Sequence, residues 1–169
     1  PVDRAGALRW LGRFVEERLP QFGAFEDLML ASEPGLFHSM LTPMLNLGLL
    51  GPLECVRAAE AAWKAGRVPL ASAEGCVRQV LGWREFVNGV YWLKGPGYAE
   101  GNGLGAERPL PAWFWTGDTE MKCLATVLRE ALDTGYNHHI QRLMVLGNFL
   151  LLAGVRPAEA LGWVNEMYV

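Results

Sequence analysis

Apolar residues recur along this chain at spacings of three and four, and no stretch alternates apolar and polar residues over the length of a strand. This periodicity is that of amphipathic helices. Glycine and proline divide the pattern into successive segments, because both residue types end helices. The sequence therefore predicts an all-α fold.

The chain has 169 residues, 51% of them hydrophobic, and a formal net charge of −3. This length suffices for one globular core. Because the charge balance is slightly acidic, a nucleic-acid site would have to be a local basic patch. No run is long enough to span a membrane and no signal peptide opens the chain, so we expect a cytoplasmic protein.

The two ends of the chain lack the usual signals of a complete domain. It starts without Met and stops at Val169 within a predicted apolar helix that has no capping residue. Helices usually end at a glycine or a polar cap. We therefore expect a fragment of a longer protein.

Start and stop signals set the limits of the predicted helices. The predicted helices are 4–19, a short one after Pro43, 52–65, 73–94, 119–134, 136–153 and one that starts at Pro157. Asp3 and Ser72 are the predicted N-caps, and Pro20 is expected to end the first helix before an irregular loop at 21–27. Residues 95–111 are predicted to form a surface loop, since their glycines do not lie between a strand and a helix as a nucleotide-binding loop requires.

Five of the predicted helices have a predicted buried stripe at helical spacing. The stripes are Leu8, Leu11, Val15 and Leu19; Leu53, Val56, Ala59 and Trp63; Phe86 and Val90; Met121, Leu124, Leu128 and Leu132; and Ile140, Leu143, Met144 and Gly147. The three cysteines, Cys55, Cys76 and Cys123, form no C-x-x-C pair. They are predicted to be buried free thiols.

Two histidines open the predicted helix 136–153. Arg142 follows His138 by four residues and His139 by three. One helical turn can thus present an imidazole beside a guanidinium. The alternative is a capping or buried histidine next to a solvated one.

Hydroxyl residues precede a short predicted helix in the run His38-Ser39-x-Leu41-Thr42-Pro43, which is followed by Gly48. Hydroxyls and backbone N–H groups at a helix N-terminus can bind an anion. Pro43 suits the first turn because no N–H is lost there. The alternative is an ordinary Ser/Thr helix cap.

Taken together, these runs resemble the bacterial iron–sulfur branch of the photolyase/cryptochrome family, a (6-4) photolyase-related group. The resemblance is carried by His-His-Ile-Gln-Arg-Leu-Met-Val-x-Gly-Asn-Phe, by Trp-Arg-Glu-Phe at 83–86, by the Ser39 loop, and by Trp115 and Cys123. It implies that residues 1–169 are part of the helical FAD-binding domain, incomplete at both ends. The N-terminal α/β antenna domain, its chromophore and the C-terminal cluster-binding part would then lie outside this chain.

The resemblance implies light-driven, FAD-dependent repair of (6-4) pyrimidine photoproducts in DNA. Reduced flavin excited by blue light passes an electron to the lesion, and a histidine supplies a proton, a role that suits imidazole near neutral pH. That histidine falls on His139, with His138 beside it. Leu143 stands where animal-type relatives have a second histidine. The implied partner is UV-damaged DNA, bound by a monomer.

The resemblance also assigns roles to individual residues. FAD contacts fall on His38, Ser39, Met40, Leu41, Thr42, Asn46, Arg84 and Arg142. Lesion or DNA contacts fall on Gln79, Trp83 and Glu85, and electron transfer to flavin on Trp115 and Trp163. His38 stands where Thr is common, and Val164 where relatives have an aromatic residue.

Cys123 matches the first of four ligands of a [4Fe-4S] cluster. Since such a cluster needs four thiolates and Cys55 and Cys76 match no ligand position, we expect this chain as given to hold no cluster. Three alternatives stay open. The first is that Trp115 and Trp163 are simply core residues. The second is that the protein is a cryptochrome-type blue-light photoreceptor without repair, and the third is that the chain is a helical interaction module without flavin.

Overall fold

A computed structural model of the chain describes residues 1–30 and 33–168. The chain divides into an N-terminal unit, Pro1–Leu93, and a C-terminal unit, Lys94–Val169. Across the described residues the regular structure is helical, apart from an isolated parallel bridge between Arg108 and Val155. The all-α prediction is confirmed. The predicted helical end at Val169 lies outside the described residues.

The N-terminal unit contains six α-helices and two π-helical segments among the residues described. They are α1 Arg4–Arg13, π1 Phe14–Arg18, α2 Leu19–Phe25, α3 Thr42–Asn46, α4 Pro52–Lys64, α5 Leu70–Val77, π2 Arg78–Gly82 and α6 Trp83–Lys94. Asp3 caps α1 as predicted, its Oδ1 accepting the Gly6 N–H at 2.6 Å. Among the described helices, none is long and apolar enough to cross a membrane.

Pro20 does not end the first helix, contrary to the prediction. The N–H of Leu19 bonds to the carbonyl of Phe14, five residues earlier, which widens the turn. Proline normally breaks a helix through its missing N–H and a clash with the carbonyl four residues before it. The wider π turn relieves that clash, so residues 21–25 continue as α2 instead of forming a loop.

The predicted cap at Ser72 is also wrong. Helix α5 begins two residues earlier, after Pro69, and Ser72 is buried on its inner face. Its Oγ accepts the N–H of Gly23 at 2.9 Å and donates to the carbonyl of Pro20 at 3.3 Å. Ser72 therefore joins α5 to α2 instead of capping a helix.

Some predicted buried positions lie at the surface of this unit. Leu8, Leu53, Trp63 and Phe86 are exposed. The buried face of α4 is formed by Cys55, Ala59 and Ala62, and none of the residues of α6 is buried. Cys55 and Cys76 are buried, as predicted.

The C-terminal unit is built around α7 and the His-His run. Within residues 94–168 its elements are two 3₁₀ turns at Pro96–Glu100 and Ala112–Trp115, then α7 Lys122–Thr134, π3 Gln141–Gly147, α8 Asn148–Leu152 and α9 Pro157–Met167. The predicted stops at Gly135 and Gly154 are confirmed, both with positive φ. The predicted surface loop at 95–111 is largely exposed, and Asn102 holds its tip through two hydrogen bonds of 2.9 Å to Ala106.

The buried faces of this unit differ from the prediction by about a residue. Leu124 and Leu128 are buried, but Met121 and Leu132 are exposed. In π3 the buried residue is Leu146, whereas Leu143 and Met144 are exposed. In π3 the winding has more residues per turn than the 3.6 that the prediction assumes. The buried face of this segment therefore falls on Leu146 instead of Leu143 and Met144.

Candidate functional site

His138 is the N-cap of the helix that starts at residue 139. Its Nδ1 accepts the backbone N–H of Ile140 at 3.1 Å, and its own N–H donates to Oε1 of Gln141 at 2.8 Å. This arrangement is similar to a capping box, with an imidazole in place of the usual hydroxyl and the N–H of the second helical residue, Ile140, in place of the third. The capping alternative therefore describes His138 correctly.

The cap also determines which nitrogen of His138 carries the proton. Because Nδ1 accepts a backbone N–H, the neutral ring must be protonated at Nε2. The ring is buried, at 3% exposure. His138 is thus held as a neutral imidazole in one tautomer.

His139 lies against this fixed ring. The two imidazoles are stacked, with centroids 4.5 Å apart and planes 26° apart. His139 is half-buried. Of the predicted pair, His139 is therefore the more accessible, and its ring stacks on the buried ring of His138.

Glu130 of α7 accepts hydrogen bonds from two amide side chains that flank the histidine pair in sequence. Its Oε2 accepts Nε2 of Gln141 at 3.2 Å, and its Oε1 accepts Nδ2 of Asn137 at 3.4 Å. Asn137 is fully buried and also donates to the carbonyl of Val127 at 3.0 Å. The residues on both sides of the histidine pair are therefore tied to α7.

Tyr168 completes the network by donating its hydroxyl to Oδ1 of Asn137 at 2.7 Å. Burial raises the pKa of Tyr168 to about 12, so the hydroxyl is a donor at neutral pH. The guanidinium of Arg142 lies 5.4 Å from the centroid of the Tyr168 ring, a cation–π contact. Arg142 is exposed, and the structure places it beside Tyr168.

In the N-terminal unit, the loop before α3 is held by two side chains of the first helical run. The indole N–H of Trp10 donates to the carbonyl of Ser39 at 2.9 Å, and Arg18 donates to that of His38 at 2.9 Å. His38 Nε2 lies 2.9 Å from the carbonyl of Glu26. The backbone carbonyls of His38 and Ser39 therefore hold the loop against the first helical run.

The backbone of this loop presents amide groups at its turn. Met40 has a positive φ of 54°, and Leu41 donates its N–H to Oγ of Ser39 at 3.3 Å. Within residues 1–30 and 33–168, the N–H groups of Met40 and Thr42 have no protein acceptor. Thr42 is exposed at the start of α3, as is Asn46 at its end. Two open amides beside two hydroxyls fit the phosphate groups of a dinucleotide.

The predicted lesion contacts lie where π2 passes into α6. Trp83 is 62% exposed and meets Phe86 edge to face at 5.9 Å. Gln79 donates to Oε1 of Glu26 at 2.6 Å. Arg84 is half-buried and Glu85 is exposed. The predicted burial of Phe86 is wrong, because its ring, like that of Trp83, is open to solvent.

The two predicted electron-transfer residues occupy different environments. Trp163 is buried and donates its indole N–H to the carbonyl of Phe114 at 3.1 Å. It packs edge-on against the rings of Phe114 and Tyr168, at 5.3 and 5.8 Å. Trp115 is 44% exposed at the end of its 3₁₀ turn. The core alternative fits Trp163 and does not fit Trp115.

Cys123 differs from the other two cysteines. It is exposed in the first turn of α7, so the prediction that it is a buried thiol is wrong. Burial raises the pKa of both Cys55 and Cys76, the latter to about 12. The two buried thiols are therefore protonated, and Cys123 is the thiol available for ligation among the described residues.

Sequence reasoning missed the residues that support the histidines and the loop. Gln141 was detectable, because it stands three residues after His138 as the capping-box rule requires. Glu130 and Tyr168 were not, since their partners are 11 and 31 residues away. Trp10 and Arg18 were missed for the same reason, because the carbonyls they bind are 29 and 20 residues away.

Comparison with known proteins supports the predicted relationship. No protein-family model matches the chain. The chain is similar to a curated protein of Agrobacterium fabrum named (6-4) photolyase, with 46% identity over 167 residues. The match covers 99% of this chain and 33% of the relative, so the chain spans a third of that protein's length.

Proposed function

We propose that this chain is part of the helical flavin-binding domain of a light-driven DNA-repair enzyme. Its predicted relationship to the (6-4) photolyases is confirmed by the comparison. The antenna domain and most of the cluster-binding part would lie outside it. The observation that carries the proposal is the stacked histidine pair, with His138 fixed as a neutral cap and His139 half-buried beside it.

We propose that the loop at 38–42 binds the pyrophosphate of FAD. The open N–H groups of Met40 and Thr42 and the hydroxyls of Ser39 and Thr42 support this role. The half-buried guanidinium of Arg84 and the exposed one of Arg142 are the proposed cationic contacts. FAD, when bound and reduced, supplies the light-excited electron.

We propose that the chain's own residues bind the damaged base and handle the proton. Trp83 offers an exposed aromatic face on which a flipped-out base can stack, with Gln79 and Glu85 nearby in sequence. His139 gives a proton to the lesion and recovers it when the bases separate. His138 keeps the ring of His139 stacked in one orientation.

Two further roles are proposed for the C-terminal unit. Trp163 and Trp115, one buried and one exposed, pass electrons from the surface to the flavin. Cys123 is one ligand of a [4Fe-4S] cluster. Since a cluster takes four thiolates and Cys55 and Cys76 are buried and protonated, the other three ligands come from outside this chain.

The test is repair of a (6-4) photoproduct in an oligonucleotide, using the full-length, flavin-reduced protein under blue light. We expect His139→Ala to lose repair by about 100-fold or more with unchanged flavin absorbance. Leu152→Ala is the control, because Leu152 is 86% exposed at the end of α8. Undiminished repair in His139→Ala would refute the proton-donor role.

The cofactor assignment has a separate test. Ser39→Ala combined with Thr42→Ala should lower the flavin content of the purified protein, measured by absorbance after denaturation. An unchanged flavin content would refute the phosphate-binding role of the loop. An unmodified protein that binds flavin and repairs nothing would instead be a blue-light photoreceptor.

A further inference from the structure

Glu130 is placed so that its two oxygens accept hydrogen bonds from residues on either side of the histidine pair. Asn137 immediately precedes His138, and Gln141 follows His139 by two residues. Glu130 itself lies on a different helix, α7, whose core residues Val127, Leu128 and Ala131 are buried. The carboxylate therefore links α7 to both ends of the turn that carries the imidazoles.

The hydrogen-bond directions in this cluster permit a single arrangement of the Gln141 amide. Its oxygen accepts the backbone N–H of His138 at 2.8 Å, so its NH₂ group must point the other way, towards Glu130. A carboxylate is an acceptor only, and it therefore fixes the amide orientation. The amide in turn fixes the backbone of His138, whose Nδ1 caps Ile140.

We propose that Glu130 and Gln141 are positioning residues that hold the His138–His139 turn in one conformation and His138 in one tautomer, so that the ring of His139 is presented for proton transfer. This inference rests on the proposed function for its catalytic consequence. Its structural content, the fixed tautomer of His138, does not depend on that function.

The experiment exchanges the two side chains. Glu130→Gln places an amide against the amide of Gln141. No orientation of the two amides lets them bond to each other while also accepting the side-chain N–H of Asn137 and the backbone N–H of His138. Gln141→Glu places two carboxylates face to face, which is unfavourable. In the double variant Glu130→Gln/Gln141→Glu, the new amide can accept from Asn137 and donate to the new carboxylate, which still accepts the N–H of His138.

Two quantities are measured in the full-length holoprotein. The first is the tautomer of His138, from ¹⁵N signals of histidine-labelled protein. The second is the repair rate per absorbed photon. Asp133→Asn is the matched control, since Asp133 is an exposed carboxylate on the same helix. Thermal unfolding of each variant is recorded alongside.

We expect each single variant to give mixed tautomers of His138 and to lower repair by roughly ten-fold or more, because small misplacements of a reacting group are costly. The double variant should restore the single tautomer and most of the repair, and the control should change neither. If a single variant fails to fold, a folded and active double variant still supports the inference.

A parent-like tautomer in both single variants would overturn the inference, as would a double variant as impaired as the singles or unable to fold. If the unmodified protein repairs no lesion, the proposed function fails, while the tautomer comparison still decides whether Glu130 and Gln141 fix the histidine turn.

Discussion

Replacing Gly23 by alanine should destabilise the N-terminal unit, although alanine favours helices. Gly23 lies in α2 where that helix meets α5. A Cβ at this position would come within 2.7 Å of the backbone nitrogen of Ser72 and 2.9 Å of the backbone carbon of Ala71. Backbone atoms cannot rotate away as a side chain can, so the two helices must separate.

Three contributions determine the size of the effect. Alanine in place of glycine stabilises a helix interior by about 1 kcal/mol. Forcing an extra carbon into a close-packed contact costs about 1–3 kcal/mol. Separating the helices also stretches the 2.9 Å hydrogen bond from the N–H of Gly23 to Oγ of Ser72, which is worth about 1 kcal/mol. The net result is a decrease of about 1–3 kcal/mol in the free energy of unfolding.

Gly12 provides the matched control in the same helical run. A Cβ there would meet no atom within 4 Å, so Gly12→Ala should stabilise the protein by up to about 1 kcal/mol. The assay is chemical denaturation followed by circular dichroism, with equal slopes required for the comparison. A Gly23→Ala protein as stable as Gly12→Ala would refute the claim that α2 and α5 are in backbone contact at this point.

Two further predictions follow from the pKa values. Burial raises the pKa of Tyr168 to about 12, so the stability that its neutral hydroxyl provides is complete below the unfolded-state pKa of about 10 and is lost as the pH rises towards 12. Tyr168→Phe should remove this alkaline loss of stability and should lower the free energy of unfolding at neutral pH by about 1 kcal/mol, because Oδ1 of Asn137 loses its donor. Urea unfolding at neutral and alkaline pH measures both effects. An unchanged alkaline loss in the variant would contradict the assignment to Tyr168. Cys123 is exposed, whereas Cys55 and Cys76 are buried with raised pKa values. In cluster-free protein at neutral pH, a thiol reagent should therefore modify Cys123 before Cys55 or Cys76, as measured by peptide mass spectrometry. Early labelling of Cys76 would contradict its burial.

Local signals were sufficient to predict where several helices begin and end. Asp3 caps α1, and Gly135 and Gly154 end their helices with positive φ, because these residue types satisfy helix ends whatever the tertiary context. Pro20 shows the limit of such signals. Its effect depended on the turn that precedes it, and the π hydrogen bond from Leu19 to Phe14 leaves no distinctive mark in the composition.

The candidate site was predicted as a set of residues and only partly as an arrangement. The His138–His139 pair was identified, but the assignment of His138 to the cap and of His139 to the available position required the 3.1 Å contact with Ile140. Glu130 could not be found from the sequence, because its role arises from two partners that only the fold brings to it. Polar residues that act through others leave no periodic pattern.

The three π segments among the described residues affect how this chain aligns with related sequences. A π turn accommodates one residue inserted into an α-helix by widening locally. Deleting a residue from Arg78–Gly82 would therefore let this segment rewind as α-helix and leave Trp83–Lys94 facing as it does now, whereas the same deletion in an uninterrupted α-helix would rotate the residues after it by about 100°. The same deletion in Gln141–Gly147 would leave Asn148–Leu152 with its present neighbours. Single-residue gaps inside helices, usually penalised in alignments, are therefore structurally reasonable at these three positions, because they leave unchanged which side chains of the following helix face inward.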